Sequence, residues 1–112
     1  MADRSNAMKA PSAILADELL QEQASTLGRL GRALECALAE LAAFDASRRP
    51  EHSDDDRAVR RALVREASTA LWYFVVQRES CGLRNTFQLM RDYRVPPEVQ
   101  RLMGAFPLRM SG

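Results

Sequence analysis

Leucines recur every seven residues along the first part of the chain. No proline interrupts residues 12–47, and further apolar residues fill the steps of three and four that place side chains on one helix face. Charged residues lie on the opposite face. The spacing therefore predicts one amphipathic helix, roughly 50 Å long at about 1.5 Å per residue. The apolar stripe consists of Leu20, Leu27, Leu30, Leu34, Ala37, Leu41 and Phe44.

A charged turn separates this helix from a second one. Pro50 disfavours helical backbone at the residue before it, and Ser53, followed by three aspartates, has the character of a helix N-cap. A second apolar stripe from Val59 to Phe74 predicts a helix that Gly82 ends in a left-handed conformation. Because the turn is short, the two long helices are expected to pack antiparallel.

Two glycines, Gly28 and Gly31, lie inside the first predicted helix. Each costs about 1 kcal/mol relative to alanine, so the pair needs a structural reason. Alignment of the two helices from the turn places both glycines at the level of residues 68–71, beside the aromatic run 72–74. We expect the missing side chains to make room for these aromatic rings or for a close helix crossing.

Both cysteines and the amino terminus bear on the cellular compartment. The helix alignment separates Cys36 from Cys81 by about 27 Å along the hairpin, whereas a disulfide needs α-carbons within about 7 Å. Residues 1–10 contain no apolar segment of the kind that directs export. We therefore expect a cytoplasmic protein whose thiols stay reduced and are buried as small apolar side chains.

The carboxy-terminal third predicts two short helices. Asn85 or Thr86 can cap the first, Pro97 suits the first turn of the second, and Gly104 is expected to end it. Because both follow the second long helix in the chain, we expect them to cover the open end of the hairpin, over Leu15 and Leu19. The expected organisation is a flexible N-terminal segment, one all-α domain and a C-terminal tail, at residues 1–11, 12–104 and 105–112.

The same part of the chain contains two distinctive stretches, LWYFVVQRESCGLR at residues 71–84 and YRVPPEV at residues 93–99. With their neighbours from residue 66 to residue 104, they resemble a family of small all-helical bacterial proteins of unknown function. The resemblance implies an all-helical fold. It implies no activity, and it carries no catalytic residue over to this chain.

Charge and hydropathy exclude some classes of function. The 16 basic and 15 acidic residues give a net charge of +1, which argues against binding to nucleic acid or to an acidic membrane through bulk charge. The longest apolar run, residues 70–76, is far shorter than the roughly 20 residues that span a bilayer. We therefore expect no membrane partner.

Residues suited to catalysis or metal binding are scarce. The one histidine, His52, lies in the predicted turn beside Glu51 and the aspartates at 54–56. A calcium loop needs a glycine and a distal glutamate that are absent here, and a zinc site needs more histidine and cysteine ligands. No serine or cysteine has a histidine base on a predicted helix. We expect no enzyme, no cofactor and no metal site.

One function that fits is a protein–protein interaction or regulatory module that self-associates. The second helix is apolar around much of residues 70–76, which is wider than one partner helix covers. We therefore expect a homodimer that forms a twofold-symmetric helical bundle, with its interface at Leu71, Trp72, Phe74 and Val75. The other reading is a monomer whose terminal helices cover this face.

The alternative function is nucleic-acid binding through a degenerate helix-turn-helix at residues 85–103. The apolar spacing suits that motif, and the contacting residues are then Arg94, Gln100 and Arg101. Two features depart from the motif, since Arg94 stands where glycine is usual and the second helix is expected to be only about seven residues long. The near-zero net charge also argues against this function.

Overall fold

The computed structural model describes residues 11–47 and 53–111, with side chains as far as residue 105. Over these residues the chain forms four helices and no strand, so the all-α prediction is confirmed there. The helices are α1 (Pro11–Ala46), α2 (Asp54–Ser80), α3 (Thr86–Asp92) and α4 (Pro97–Ser111). The predicted flexible segment, apart from Pro11, and the turn at residues 48–52 lie outside the described residues.

Local sequence signals set both ends of α2. At its start, the Ser53 hydroxyl oxygen accepts a hydrogen bond of 3.0 Å from the Asp56 N–H group. At its end, Gly82 has a φ of +86°, which glycine adopts without strain. The N–H groups of Gly82 and Leu83 then donate to carbonyl groups of the last helical turn, in the pair of bonds that forms a Schellman motif.

Helices α1 and α2 form the long antiparallel hairpin. Asp45, near the end of α1, bonds to Arg60, near the start of α2, whereas Gly31, earlier in α1, lies against Phe74, later in α2. Each helix buries one apolar stripe between them. The buried members of the two stripes include Leu34, Leu41, Val64, Ala67, Leu71 and Phe74.

Helix α4 does not cover the open end of the hairpin, so that prediction is wrong. After the turn at Gly82 the chain runs back toward the closed end, where Glu98 bonds to Arg60. The open end stays uncovered, since Leu15 and Leu19 are 64% and 59% exposed. The physical reason is that α1 covers only part of the wide apolar face of α2, and the returning chain, with Leu89, Val95 and Val99, packs against another part of it.

Helix α4 is also longer than the sequence predicts. Gly104 does not end it, and the helix continues to Ser111. A glycine inside a helix costs about 1 kcal/mol but leaves the backbone hydrogen bond in place. The packing of Val99 and Leu102 against the core fixes the preceding turns of this helix. Gly104 therefore lowers helix propensity here without setting a boundary.

The steric explanation for the two glycines is confirmed for Gly31 and wrong for Gly28. A Cβ atom on Gly31 stands 3.0 Å from the Tyr93 hydroxyl and 3.2 Å from the Phe74 ring. A Cβ atom on Gly28 has only the guanidinium of Arg32 within 4 Å. Gly31 thus opens the space in which the rings of Phe74 and Tyr93 meet edge to face, with centroids 5.6 Å apart.

Neither cysteine is fully buried. Both are free thiols, Cys36 exposed and Cys81 half-buried, which corrects the expectation that they fill the core. Cys36 lies two residues after Leu34, and two residues correspond to about 200° around a helix, so its side chain faces away from α2.

Candidate functional site

The residues predicted for a dimer interface are mostly inside the monomer. Leu71, Phe74 and Val75 are 0%, 5% and 9% exposed and pack in the core that α1, α2 and α4 share. Trp72 is half-buried and meets Tyr73 edge to face, with ring centroids 5.4 Å apart. Much of the face of α2 that predicted a second copy is therefore buried within the chain itself, although Tyr73 and Val76 on that face are 54% and 43% exposed.

The residues predicted for nucleic-acid contact differ in their surroundings. Arg94 is exposed and has a φ of +51°, the left-handed conformation for which glycine is usual at a helix-turn-helix turn. Arg101 is exposed as well. The side-chain amide of Gln100, however, donates to the Val95 carbonyl at 2.9 Å, so one of its two N–H groups is already engaged within the chain. Helix α4 has 15 residues instead of the expected seven or so.

One arginine links three helices at the closed end of the hairpin. The Arg60 guanidinium, on α2, donates to both carboxylate oxygens of Asp45, on α1, at 2.8 and 3.1 Å. It also donates to both carboxylate oxygens of Glu98, on α4, at 3.0 and 2.6 Å. These bonds lower the pKa of Glu98, mainly through the hydrogen bond from Arg60, and raise the pKa of Arg60 through both partners. The bridge fixes α4 against the hairpin.

A buried serine makes a second link between α2 and α4. Ser68 is 0% exposed, and its hydroxyl lies 2.7 Å from the Val64 carbonyl and 3.1 Å from the Val99 carbonyl. The bond to Val64 stays within α2, whereas the bond to Val99 crosses to α4. Because a hydroxyl has one proton, the two carbonyls share it, and the contact with Val99 holds α4 against α2 at this level.

Next to this contact lies an open groove of about 480 Å³ between α2 and α4. We call it the arginine groove; its lining residues are Arg57, Arg60, Arg61, Val64, Arg65, Glu98 and Leu102. Arg60 is used by the three-helix bridge, and Arg57 pairs with Asp54 at 2.9 Å. Arg61 and Arg65 are exposed and form no ion pair with the residues that the structure describes. The groove therefore combines positive charge with apolar side chains.

A contrasting surface occurs at the opposite end. With Asp45 beside Arg60 and Gly31 beside Phe74, the end of α2 at Ser80 lies level with about residue 25 of α1, so the first turns of α1 project about 20 Å beyond it. Within residues 11–22 every residue is exposed except half-buried Ala13. We call residues 11–22 the α1 overhang. Its large exposed apolar side chains are Ile14, Leu15, Leu19 and Leu20.

The arrangement of polar side chains offers no metal site in the described parts of the chain, where no three histidine, cysteine, aspartate or glutamate residues come together. The helices of that same part include none with the length and hydropathy needed to cross a membrane. The two features with distinctive surface chemistry are thus the arginine groove and the α1 overhang.

Neither a curated protein nor a solved structure matches this chain. One family model does match, over residues 3–110 and therefore almost the whole sequence. The resemblance seen in the sequence is confirmed by that match. The chain belongs to the family of unknown function DUF6665.

Proposed function

We propose that this protein is a helical interaction module that self-associates through the α1 overhang. The observation that supports the proposal is that the leucine ladder of α1 continues past the end of α2. Leu34 and Leu41 are 0% and 2% exposed, Leu27 is half-buried, and Leu20 on the same ladder is 63% exposed. The stripe that forms the core of the hairpin therefore becomes a surface stripe in the overhang.

This exposure is costly for a monomer. Leu15 and Leu19 flank the same stripe, and complete burial of one leucine side chain contributes about 1.5–3 kcal/mol. A second copy of the chain supplies a partner surface without any further protein, and twofold symmetry closes the assembly.

Sedimentation or light scattering from micromolar to hundreds of micromolar protein tests the proposal. We expect the mass of a dimer for the unaltered chain and of a monomer for Leu19→Ser combined with Leu20→Ser, with helicity preserved in circular dichroism. The matched control is Leu83→Ser, an exposed leucine outside the overhang, which should leave the dimer intact. A monomeric unaltered chain, or a dimer that tolerates the overhang substitutions, refutes the proposal.

A second candidate is nucleic-acid binding, which the left-handed backbone of Arg94 favours. The carboxylate of Glu98 near the start of α4, and the engaged amide of Gln100, oppose it. Salt-dependent binding of duplex DNA that weakens with Arg101→Ala supports this candidate. Absence of binding at low salt eliminates it.

A further inference from the structure

We propose further that the arginine groove of one copy receives the α1 overhang of a second copy, and that the exchange is reciprocal. The inference rests on the proposed self-association and specifies its interface. The resulting dimer has two identical contacts related by a twofold axis, each between the open end of one copy and the closed end of the other.

The two surfaces are complementary in charge and in hydropathy. Residues 11–28 contain acidic side chains and no lysine or arginine. In the overhang, Glu18 and Glu22 lie next to Leu15 and Leu19 around the helix. In the groove, the exposed arginines lie next to the apolar side chains of Val64 and Leu102. Each surface therefore offers both kinds of contact that the other needs.

The spacing of the charges also agrees. Glu18 and Glu22 are four residues apart on α1, and Arg61 and Arg65 are four residues apart on α2. On a helix this separation places side chains about 6 Å apart along one face. Two helices lying side by side can thus form two ion pairs at once, while the leucines of the overhang contact the apolar part of the groove.

A chain cannot fill its own groove with its own overhang. Asp45 of α1 is held beside the groove by its bonds to Arg60, whereas the overhang ends at residue 22 of the same helix. The two positions are 23 residues apart along α1, which corresponds to about 35 Å of helix. Since α1 is continuous from Pro11 to Ala46, the occupant has to come from another molecule. Two copies that lie antiparallel place each overhang at the groove of the other.

Charge reversal on either surface tests the inference. One variant carries Glu18→Arg and Glu22→Arg, and the other carries Arg61→Glu and Arg65→Glu. Each variant alone brings like charges together at both contacts, so we expect its dimer dissociation constant to rise by about 100-fold or more. Mixing the two variants pairs opposite charges at both contacts, so a heterodimer should form with nearly the affinity of the unaltered dimer. All four changes in one chain should restore the homodimer.

Native mass spectrometry with one variant mass-tagged distinguishes homodimer from heterodimer, and circular dichroism checks that every variant folds. The matched control is Arg29→Glu with Arg32→Glu, two exposed arginines on the outer side of α1, which should leave the dimer unchanged. A mixture that stays monomeric overturns the inference. A dimer that survives both charge reversals but is lost with Leu19→Ser and Leu20→Ser also overturns it. That second result leaves self-association through the α1 overhang in place and removes only the arginine groove as its partner surface. A monomeric unaltered chain overturns both proposals.

Discussion

Alanine at Gly31 and alanine at Gly28 should change the stability of the fold in opposite directions. The two positions lie three residues apart on α1, and both gain the same methyl group. In an unstrained helix the change from glycine to alanine stabilises by about 1 kcal/mol through backbone entropy. Any difference between the two variants therefore reports what the new methyl group contacts.

The side chains that the two new methyl groups contact differ in how easily they can move. At Gly28 the methyl group meets the guanidinium of Arg32 at 3.3 Å, the end of an exposed and flexible side chain, so the gain of about 1 kcal/mol is retained. At Gly31 it meets the Tyr93 hydroxyl at 3.0 Å and the buried Phe74 ring at 3.2 Å. Overpacking of a core costs about 1–3 kcal/mol, which exceeds the helix gain. We expect Gly31→Ala to destabilise by about 1 kcal/mol net.

Urea unfolding followed by circular dichroism measures both effects. For an m-value of about 2 kcal/mol/M, the midpoint should rise by about 0.5 M for Gly28→Ala and fall by about 0.5 M for Gly31→Ala. Tyr93→Phe removes the hydroxyl of the closer contact, so in that background Gly31→Ala should cost measurably less. Equal stabilisation by the two alanines refutes the reasoning, because the Gly31 methyl group then has no steric cost.

Two further predictions concern the attachment of α4. Ser68→Ala should lower the free energy of unfolding by about 1–2 kcal/mol in urea, because the carbonyls of Val64 and Val99 lose the buried donor that they share. Ser80→Ala, at an exposed serine, is the control. Glu98→Gln tests the pH dependence of the bridge. The bridge lowers the pKa of Glu98 in the folded chain. Its stabilisation is therefore fully present above the ordinary glutamate pKa of about 4.3, and is lost as the pH falls through the lowered pKa of the folded chain. Since the Glu98 side chain is 38% exposed, we expect the free energy of unfolding of the unaltered chain to exceed that of the variant by less than about 1 kcal/mol at neutral pH. In strong acid the two free energies should be equal. A difference independent of pH contradicts this.

The hairpin was predictable because its signals are local. The Ser53 cap acts within one turn, and the left-handed conformation of Gly82 depends on that residue's own backbone. The leucine ladder likewise repeats at short spacing, so it identifies a helix from its own sequence. Such features do not depend on which other segment packs nearby, and the sequence alone therefore predicts them.

The placement of α4 was not predictable because it depends on a choice between partners. The sequence shows that α2 is apolar over more of its circumference than one partner helix can cover. A second copy of the chain and the chain's own α4 are equally able to cover the excess. Ser68 was a usable signal, since a serine inside an apolar stripe needs a hydrogen-bond partner. The opposite charges of Asp45 and Arg60, on either side of the turn, were another. Neither signal identifies Glu98 as the third member of the bridge.

The position of α4 accounts for both surfaces on which the proposed dimer depends. By returning to the closed end, α4 leaves the first turns of α1 without a cover, so the leucines of the α1 overhang remain exposed. The same return places Leu102 beside Val64 and forms the second wall of the arginine groove. A helix placed over the open end instead buries the overhang and leaves no groove. One packing choice therefore produces an exposed acidic and apolar helix end at one end of the molecule and a basic, partly apolar groove at the other. In the proposed dimer, a second copy in the antiparallel orientation brings these two surfaces together.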